Sequence, residues 1–190
     1  DGYARGYLNG SGEMVVQLGG IDNNDICNMS GGFTTSITIP EGTTGATFTF
    51  SFRMVMDSEY ESNEYGQVFV GVDGDRLSVN GHDYVYQQAG DGNGGSDMDS
   101  GWRTVTIDLS DLPAGTHTIT LGAFNNAKTE AAEQIQVSFK NTSLTTTVET
   151  EVVTEPTLTG TYDDYIDAGD GNDIAYGELG NDTVLGGDGN

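Results

Sequence analysis

Residues 159–190 repeat with a period of nine, and this repeat constrains the fold more than any other feature of the chain. Aspartates recur at one position of the repeat, glycines two residues earlier and apolar residues two residues later. The aspartates are Asp164, Asp173 and Asp182, the glycines are Gly171, Gly180 and Gly189, and the apolar residues are Ile166, Ala175 and Val184. Three repeats in register, followed by a truncated fourth, favour a regular structure over a flexible Gly/Asp-rich linker.

The residue types explain the period. Glycine permits backbone angles that other residues avoid, aspartate supplies a hard oxygen ligand, and the apolar residue points into a narrow core. The pattern Gly-Gly-x-Gly-x-Asp-x-apolar-x resembles the calcium-binding RTX family. The resemblance implies a parallel β-roll in which each nonapeptide is half a turn. Asp164 and Asp182 are then expected to share a Ca²⁺ ion, with Asp173 facing the other side. The Gly-Asn turns, with Asn172 and Asn181, complete the expected metal ligands.

Composition limits the partners that the chain can have. Six basic and thirty acidic side chains among 190 residues give a net charge of −24. Such a surface repels nucleic acid and anionic membranes, because neither offers a counter-charge. Several bound Ca²⁺ ions would neutralise much of it. Cys27 is the single cysteine, so no intrachain disulfide can form. We expect calcium to take over the stabilising role that disulfides play in other extracellular proteins.

The sequence shows no signal peptide, no initiator Met and no long apolar run, which favours a piece of a longer protein. RTX proteins are typically exported by type I secretion, through a signal at their far C-terminus. The resemblance therefore implies an extracellular or bacterial cell-surface location and a protein that is not embedded in a membrane.

Residues 1–145 predict an antiparallel, jelly-roll-like β-sandwich. Its clearest strand covers residues 46–56, where large apolar side chains alternate with mostly polar ones. The other predicted strands are 14–18, 33–39, 67–72, 76–79, 82–87, 104–109, 118–123 and 134–139. Only residues 127–133 suggest a helical turn. Residues 146–158 predict the end of a last strand and a linker, and residues 159–190 predict the β-roll.

The loop at residues 90–101 is the strongest candidate ligand site in the sandwich. Its five glycines let backbone carbonyls converge. Its side-chain oxygens come from Asp91, Asn93, Asp97 and Asp99. The spacing begins like an EF-hand loop but lacks the third ligand and the final Glu, so we expect a different kind of Ca²⁺ loop. The alternative is a solvated hairpin loop. Nearby aromatic residues that could stack on a ligand are Tyr84, Tyr86 and Trp102, although Trp102 also fits buried packing.

Two other pairs of carboxylates are candidate metal ligands. Glu64 and Glu133 each precede a strand, and we expect them to clamp a structural Ca²⁺ ion at one end of the sandwich. Asp22 and Asp25 lie in an Asx-rich loop that suits either a metal site or a solvated turn.

The sequence offers little for catalysis. His82 and His117 are its only histidines, Cys27 has no neighbouring His, and no Gly-x-Ser-x-Gly elbow is present. His117 shares a strand face with apolar residues, which favours a buried imidazole with satisfied hydrogen bonds. We therefore expect that the protein is not an enzyme. A paired-carboxylate glycosidase stays open, because thirty acidic residues are available.

RTX repeats after a β-sandwich with acidic loops resemble the distal, ligand-binding region of bacterial RTX adhesins. The resemblance implies that residues 1–145 bind glycans or peptides on another cell or surface, as a monomeric module of a long chain. A glycan would use an open Ca²⁺ site and an aromatic ring, whereas a peptide would need a groove or an exposed edge strand. We expect a Ca²⁺-dependent lectin, with a Ca²⁺-dependent peptide binder as the alternative.

Overall fold

The computed structural model describes residues 3–92, 94–149, 163–177 and 180–189, and all of their regular secondary structure is β. The chain divides into two compact units, Asp1–Glu149 and Thr150–Asn190. The strands are β1 Ala4–Leu8, β2 Met14–Gly19, β3 Ile26–Ile39, β4 Thr43–Met56, β5 Tyr65–Val72, β6 Asp75–Arg76, β7 Tyr86–Ala89, β8 Met98–Asp99, β9 Arg103–Asp108, β10 Gly115–Lys128, β11 Gln134–Val148, β12 Tyr165–Asp167 and β13 Thr183–Leu185. None of the described residues forms a helix of the length and apolar character needed to cross a bilayer.

The first unit is a sandwich of two antiparallel sheets. In the first sheet the strands follow the order β1-β2-β11-β4-β8, and β9 also pairs with β4. In the second sheet the order is β3-β10-β5-β6, and β7 also pairs with β5. Apolar side chains from both sheets share one core. The predicted antiparallel β-sandwich is confirmed.

Strand β4 shows how the sequence produces this core. The side chains of Phe48, Phe50, Phe52, Met54 and Met56 are each no more than 3 % exposed. They point inward because successive side chains of a strand face opposite sides of the sheet. The intervening residues, including Arg53 and Val55, face away from the core. We call this side of the β1-β2-β11-β4 sheet the outer face.

Four strand connections cross between the sheets at the same end of the sandwich. They join β2 to β3, β4 to β5, β7 to β8 and β10 to β11. The pairing places the ends of these strands together, since Gly19 lies opposite Gln134 and Ile135 lies opposite Met56. We call this the crossover end. Most of the predicted carboxylate ligands of the first unit lie here.

Several strands differ from the predictions for identifiable reasons. Strand β1 is not predicted, because all five of its residues are exposed and no apolar alternation marks it. The strand predicted at 76–79 ends at Arg76, and the strand predicted from residue 82 begins at Tyr86. The helical turn predicted at 127–133 is wrong, since β10 continues to Lys128 and β11 begins at Gln134.

His117 is buried, 8 % exposed, and both of its ring nitrogens face oxygen acceptors. Nδ1 lies 2.7 Å from Asp73 Oδ2, and Nε2 lies 2.8 Å from the carbonyl oxygen of Pro113. Asp73 and Gly74 have φ values of 52° and 97°, which are typical of the tight primed turn of a hairpin. The predicted buried and satisfied imidazole is confirmed. Its hydrogen bond with Asp73 raises the pKa of His117, because two acceptors favour the doubly protonated ring.

In the second unit, β12 and β13 pair in parallel. Tyr165 lies opposite Thr183, Ile166 opposite Val184 and Asp167 opposite Leu185, an offset of eighteen residues or two nonapeptides. This pairing confirms the parallel β-roll. Its apolar residues are incompletely covered, since Val184 is 48 % exposed. Stacked repeats bury their core against neighbouring turns, so two turns leave part of it open.

Candidate functional site

Carboxylates of the β-roll accept hydrogen bonds from backbone amides of the neighbouring turn. Asp182 Oδ1 accepts a hydrogen bond from Asp164 N at 2.9 Å, and Asp163 Oδ1 accepts one from Asn181 N at 2.8 Å. Both hydrogen bonds span eighteen residues. Asp164 and Asp182 therefore stack on one side of the roll, as the repeat predicts. Asn172 also lies within the described turns.

A cavity of about 330 Å³ opens between the turns and is lined by Asp173 together with small residues. Side chains added to Gly187 or Gly189 would collide with the carbonyl oxygens of Gly169 and Gly171. The glycines therefore let backbone oxygens approach closely. Carboxylate and carbonyl oxygens are the ligands that Ca²⁺ prefers, so this cavity fits the ion. Asp173 and backbone carbonyls of the glycine turns would hold the ion in this cavity, whereas the stacked Asp164 and Asp182 would hold an ion on their own side of the roll.

In the first unit, the structure brings Glu64 and Glu133 together at the crossover end, as we expected from their places before two strands. Both are fully buried. Glu61, which the sequence analysis does not single out, completes the group, and one carboxylate oxygen of each residue lies within 4.8 Å of the others. Burial raises the pKa of Glu64 to about 7.

The neighbouring Asx-rich loop holds a side-chain cation. Lys128 is fully buried, and its Nζ donates to the carbonyl oxygens of Asp22 at 2.6 Å and Asn24 at 3.1 Å. The same ammonium lies 3.6 Å from Asp22 Oδ1. The sequence suits either a metal site or a solvated turn here, and in the structure the ammonium of Lys128 lies where these backbone oxygens converge. Asp25 is exposed in this loop.

The predicted ligands of the 90–101 loop have separate surroundings. Asp99 forms part of β8 and pairs with Arg53, with 2.9 Å between Oδ1 and Nε. Asp97 instead lines a groove on the outer face. Asp91 is exposed at the start of the loop, and Asn93 lies outside the described residues. Among the described residues, no three metal-binding side chains of this loop converge.

The three predicted aromatic residues have different surroundings. The Tyr84 ring stacks on His82, with 4.8 Å between the ring centroids. Tyr86 packs on the core residue Phe52, with 5.5 Å between centroids, so it stabilises the fold. Trp102 is 39 % exposed, and its ring lies 3.5 Å from Lys140 Nζ. Trp102 is therefore the one of these three that is exposed on the outer face.

The outer face carries a groove of about 350 Å³ near the crossover end. Its lining is rich in amide and carboxylate groups and consists of Gln17, Val55, Asp57, Asp97, Ala132, Gln134 and Gln136. Gln17 lies opposite Gln136, and Gln136 lies opposite Val55, so three adjacent strands contribute to its floor. The exposed Tyr7 lies on the same face, with 3.5 Å between its hydroxyl and Gln136 Oε1.

Sequence reasoning missed the glutamines of this groove. The available signal is the alternation of Gln17 with Val16 and Leu18, which places Gln17 on the outer face. The sequence gives no register between β2, β11 and β4, so it does not show that Gln17 and Gln136 are neighbours.

Comparisons with solved structures found two carbohydrate-binding modules with low similarity. One is TmCBM61 in complex with β-1,4-galactotriose, at 12% identity and a TM-score of 0.35, covering 76% of this chain and 83% of that chain. The other is a CBM4 structure, at 13% identity and a TM-score of 0.32, covering 77% of this chain and 90% of that chain. No curated protein matches the chain in sequence.

Residues 158–190 match the family model of the RTX calcium-binding nonapeptide repeat, in four copies. The match covers the β-roll with its stacked Asp164 and Asp182 and the cavity beside Asp173. Nonapeptide repeats of this kind imply calcium binding. Residues 158–190 of this chain are therefore RTX calcium-binding nonapeptide repeats.

Proposed function

We propose that the first unit is a Ca²⁺-dependent glycan-binding module of a secreted RTX adhesin, and that the glycan lies in the groove on the outer face. The observation that carries this proposal is the lining of the groove. Three glutamine amides and two carboxylates meet there on one exposed surface. Amide and carboxylate pairs match the donor and acceptor groups of vicinal sugar hydroxyls.

Two exposed aromatic rings favour a sugar as the ligand, because a purely polar ligand has no apolar face to place on them. Tyr7 and Trp102 are both exposed, and both lie on the outer face that carries the groove. Exposed aromatic rings beside hydrogen-bonding groups suit the apolar C–H face of a sugar ring. Calcium-binding repeats are typical of secreted proteins, which fits a ligand on another cell or surface.

A glycan array tests the proposal. The labelled protein, applied in millimolar Ca²⁺ and again in EDTA, should bind a defined set of glycans that is weakened by EDTA. The Gln136→Ala variant should lose binding to this set. Gln87→Ala is the matched control, because Gln87 is an exposed glutamine on the other sheet. A blank array with protein that is shown to be folded would reject the glycan proposal.

A peptide ligand is the second candidate, and strand β1 favours it. All five residues of β1 are exposed, and β1 lies at the edge of its sheet, where an extended peptide can add a strand. Two results would support this candidate. The protein should bind members of a peptide library and no glycans, and Gly6→Pro should abolish this binding because it removes a backbone amide at the edge of the sheet.

We also propose that the module binds its glycan without cleaving it. Asp57 and Asp97 both line the groove, and a pair of carboxylates is the catalytic group of most glycosidases. Incubation of the protein with the bound glycan should release no new reducing ends. Release that is abolished by Asp97→Asn would identify a glycosidase.

A further inference from the structure

Glu61, Glu64 and Glu133 come from two of the four loops that cross between the sheets at the crossover end. Glu61 and Glu64 lie in the connection between β4 and β5, and Glu133 lies in the connection between β10 and β11. One oxygen of each carboxylate lies within 4.8 Å of the others. Oxygens that share one Ca²⁺ ion at 2.3–2.6 Å lie at most about 5 Å apart, so this spacing fits a single ion.

The two oxygens of Glu133 have different surroundings. Oε2 accepts hydrogen bonds from the backbone amides of Thr129 at 2.6 Å and Glu130 at 2.9 Å. Oε1 is buried and has no hydrogen-bond partner. A buried carboxylate oxygen without a partner is costly, because it has lost its hydration and gained nothing in return. A bound cation would supply the missing partner.

The positive charge that would balance this group is absent among the described residues. The ion pairs of Arg53, Arg76, Lys128 and Lys140 go to other carboxylates, Arg5 donates to Gln17, and the Arg103 guanidinium lies over the Tyr86 ring. Glu64 and Glu133 are fully buried, whereas Glu61 is half-buried. Three carboxylates this close repel one another unless a cation or protons neutralise them.

We propose that Glu61, Glu64 and Glu133 bind one Ca²⁺ ion, which joins the β4–β5 and β10–β11 loops at the crossover end. Three carboxylates without a nitrogen or sulfur ligand favour a hard cation. Ca²⁺ accepts six to eight oxygens in irregular geometry, and Thr129 Oγ1, 2.9 Å from Glu64 Oε1, is a further nearby oxygen. The half-buried Glu61 gives the ion a route from solvent.

The site would also order the surroundings of the groove, a consequence that rests on the proposed glycan function. Asp57 and Ala132 line the groove and belong to the same two loops that carry the glutamates. The start of the 90–101 loop is attached to this region as well, since Gly90 N donates to the carbonyl of Glu64 and Gly92 N to that of Tyr60. Loss of the ion would therefore loosen three parts of the groove together.

Trp102 allows the site to be tested in the full chain, because it is the only tryptophan and lies in the first unit. Thermal unfolding followed by Trp102 fluorescence therefore reports on the sandwich and not on the repeats. In the wild type, millimolar Ca²⁺ should raise the Tm of this transition by roughly 5–10 °C relative to EDTA. In Glu133→Gln the Ca²⁺-induced shift should vanish.

Glu133→Gln should also melt at a higher temperature than the wild type in EDTA, because it removes one of three repelling charges. This gain in EDTA, together with the lost shift in Ca²⁺, separates a metal ligand from a residue that is needed only for folding. Glu130→Gln is the matched control, since Glu130 is exposed in the same loop and the charge change is identical. It should keep the wild-type shift.

Calcium titration by calorimetry gives the stoichiometry. Glu133→Gln should bind one ion fewer than the wild type and Glu130→Gln, with the ions of the repeats unchanged. A wild-type Ca²⁺ shift or an unchanged ion count in Glu133→Gln would overturn the proposal. Neither measurement requires a glycan, so failure of the metal site is distinguishable from failure of the glycan-binding proposal.

Discussion

The guanidinium of Arg53 donates to both carboxylate oxygens of Asp99, with 2.9 Å from Nε to Oδ1 and 2.5 Å from Nη2 to Oδ2. The pair joins β4 to β8, and Gly101 N also donates to Asp99 Oδ1 at 2.9 Å. These hydrogen bonds, the one from Arg53 above all, lower the pKa of Asp99 to about 2. Asp99 is therefore a structural link between two strands.

Asp99→Asn should lower the free energy of unfolding by about 0.5 kcal/mol at neutral pH, because exposed ion pairs contribute little. The sign of the pH dependence follows from the lowered pKa. The contribution is fully present above the unfolded pKa of about 3.8 and is lost as pH falls toward about 2. Urea unfolding at several pH values measures it. Asp97→Asn is the comparison variant, because Asp97 lines the groove. It should weaken glycan binding and leave the free energy of unfolding unchanged.

Trp102→Ala should weaken glycan binding about ten-fold, which corresponds to about 1.4 kcal/mol. The reason is the loss of an exposed ring on the outer face, whereas Trp102→Phe keeps a ring and should keep most of the affinity. Tyr84→Ala is the comparison, since Tyr84 stacks on His82 in the connection between β6 and β7, both strands of the other sheet. Isothermal titration with a glycan identified on the array gives the affinities. Equal losses of glycan affinity for Trp102→Ala and Tyr84→Ala would argue against a glycan site in the groove.

His117→Gln should destabilise the sandwich more at low pH than at high pH. The raised pKa of His117 means that its contribution is fully present below the unfolded value of about 6.5. The contribution is lost as pH rises through the higher folded pKa. Urea unfolding between about pH 5.5 and about pH 9 should therefore show a shrinking difference between wild type and variant. A constant difference would mean that folding leaves the pKa of His117 unchanged.

Lys128→Met should lower the free energy of unfolding by about 2–3 kcal/mol, because the carbonyls of Asp22 and Asn24 lose a charged donor. The loss should be the same in Ca²⁺ and in EDTA. Asp25→Asn is the control in the same loop and should have little effect, since Asp25 is exposed. If Ca²⁺ restored the free energy of unfolding of Lys128→Met, a metal ion would be able to replace the ammonium.

Asp182→Ala should weaken Ca²⁺ binding by the repeats at least about ten-fold, or about 1.4 kcal/mol. It removes an oxygen ligand and the acceptor for Asp164 N. Hydrogen exchange of residues 163–189 in Ca²⁺ should be faster in this variant than in the wild type. Asp188→Ala carries the same charge change and should exchange like the wild type. Similar exchange in both variants would contradict the assigned role of Asp182.

The sequence predicts the parts of this protein that depend on short-range pattern. The alternation of Phe48, Phe50 and Phe52 predicts both a strand and its buried side, and the nine-residue period predicts the eighteen-residue offset of β12 and β13. The pairing of Glu64 with Glu133 is also within reach, because each residue precedes a strand. Strand β1 cannot be predicted in this way, since it has no buried side and therefore no apolar alternation.

Long-range partners are where sequence reasoning ends. Asp22 lies in a loop whose composition fits a metal site, yet its cation is Lys128, 106 residues away. Asp99 likewise fits a loop ligand until its pairing with Arg53, 46 residues away, is known. The two loops share one physical reason for this. Local composition shows which oxygens are present, but the fold decides which positive charge reaches them.

Lys128 gives the protein a cation that no chelator can remove. The repeats depend on an exchangeable ion, and so does the proposed glutamate site, whereas the ammonium that holds the loop at residues 20–25 is attached to the chain. When calcium is withdrawn, that loop should keep its shape while the ion-dependent parts relax. The crossover end would then keep one ordered loop in the absence of calcium, and the ion-dependent loops would refold beside it when calcium is added again.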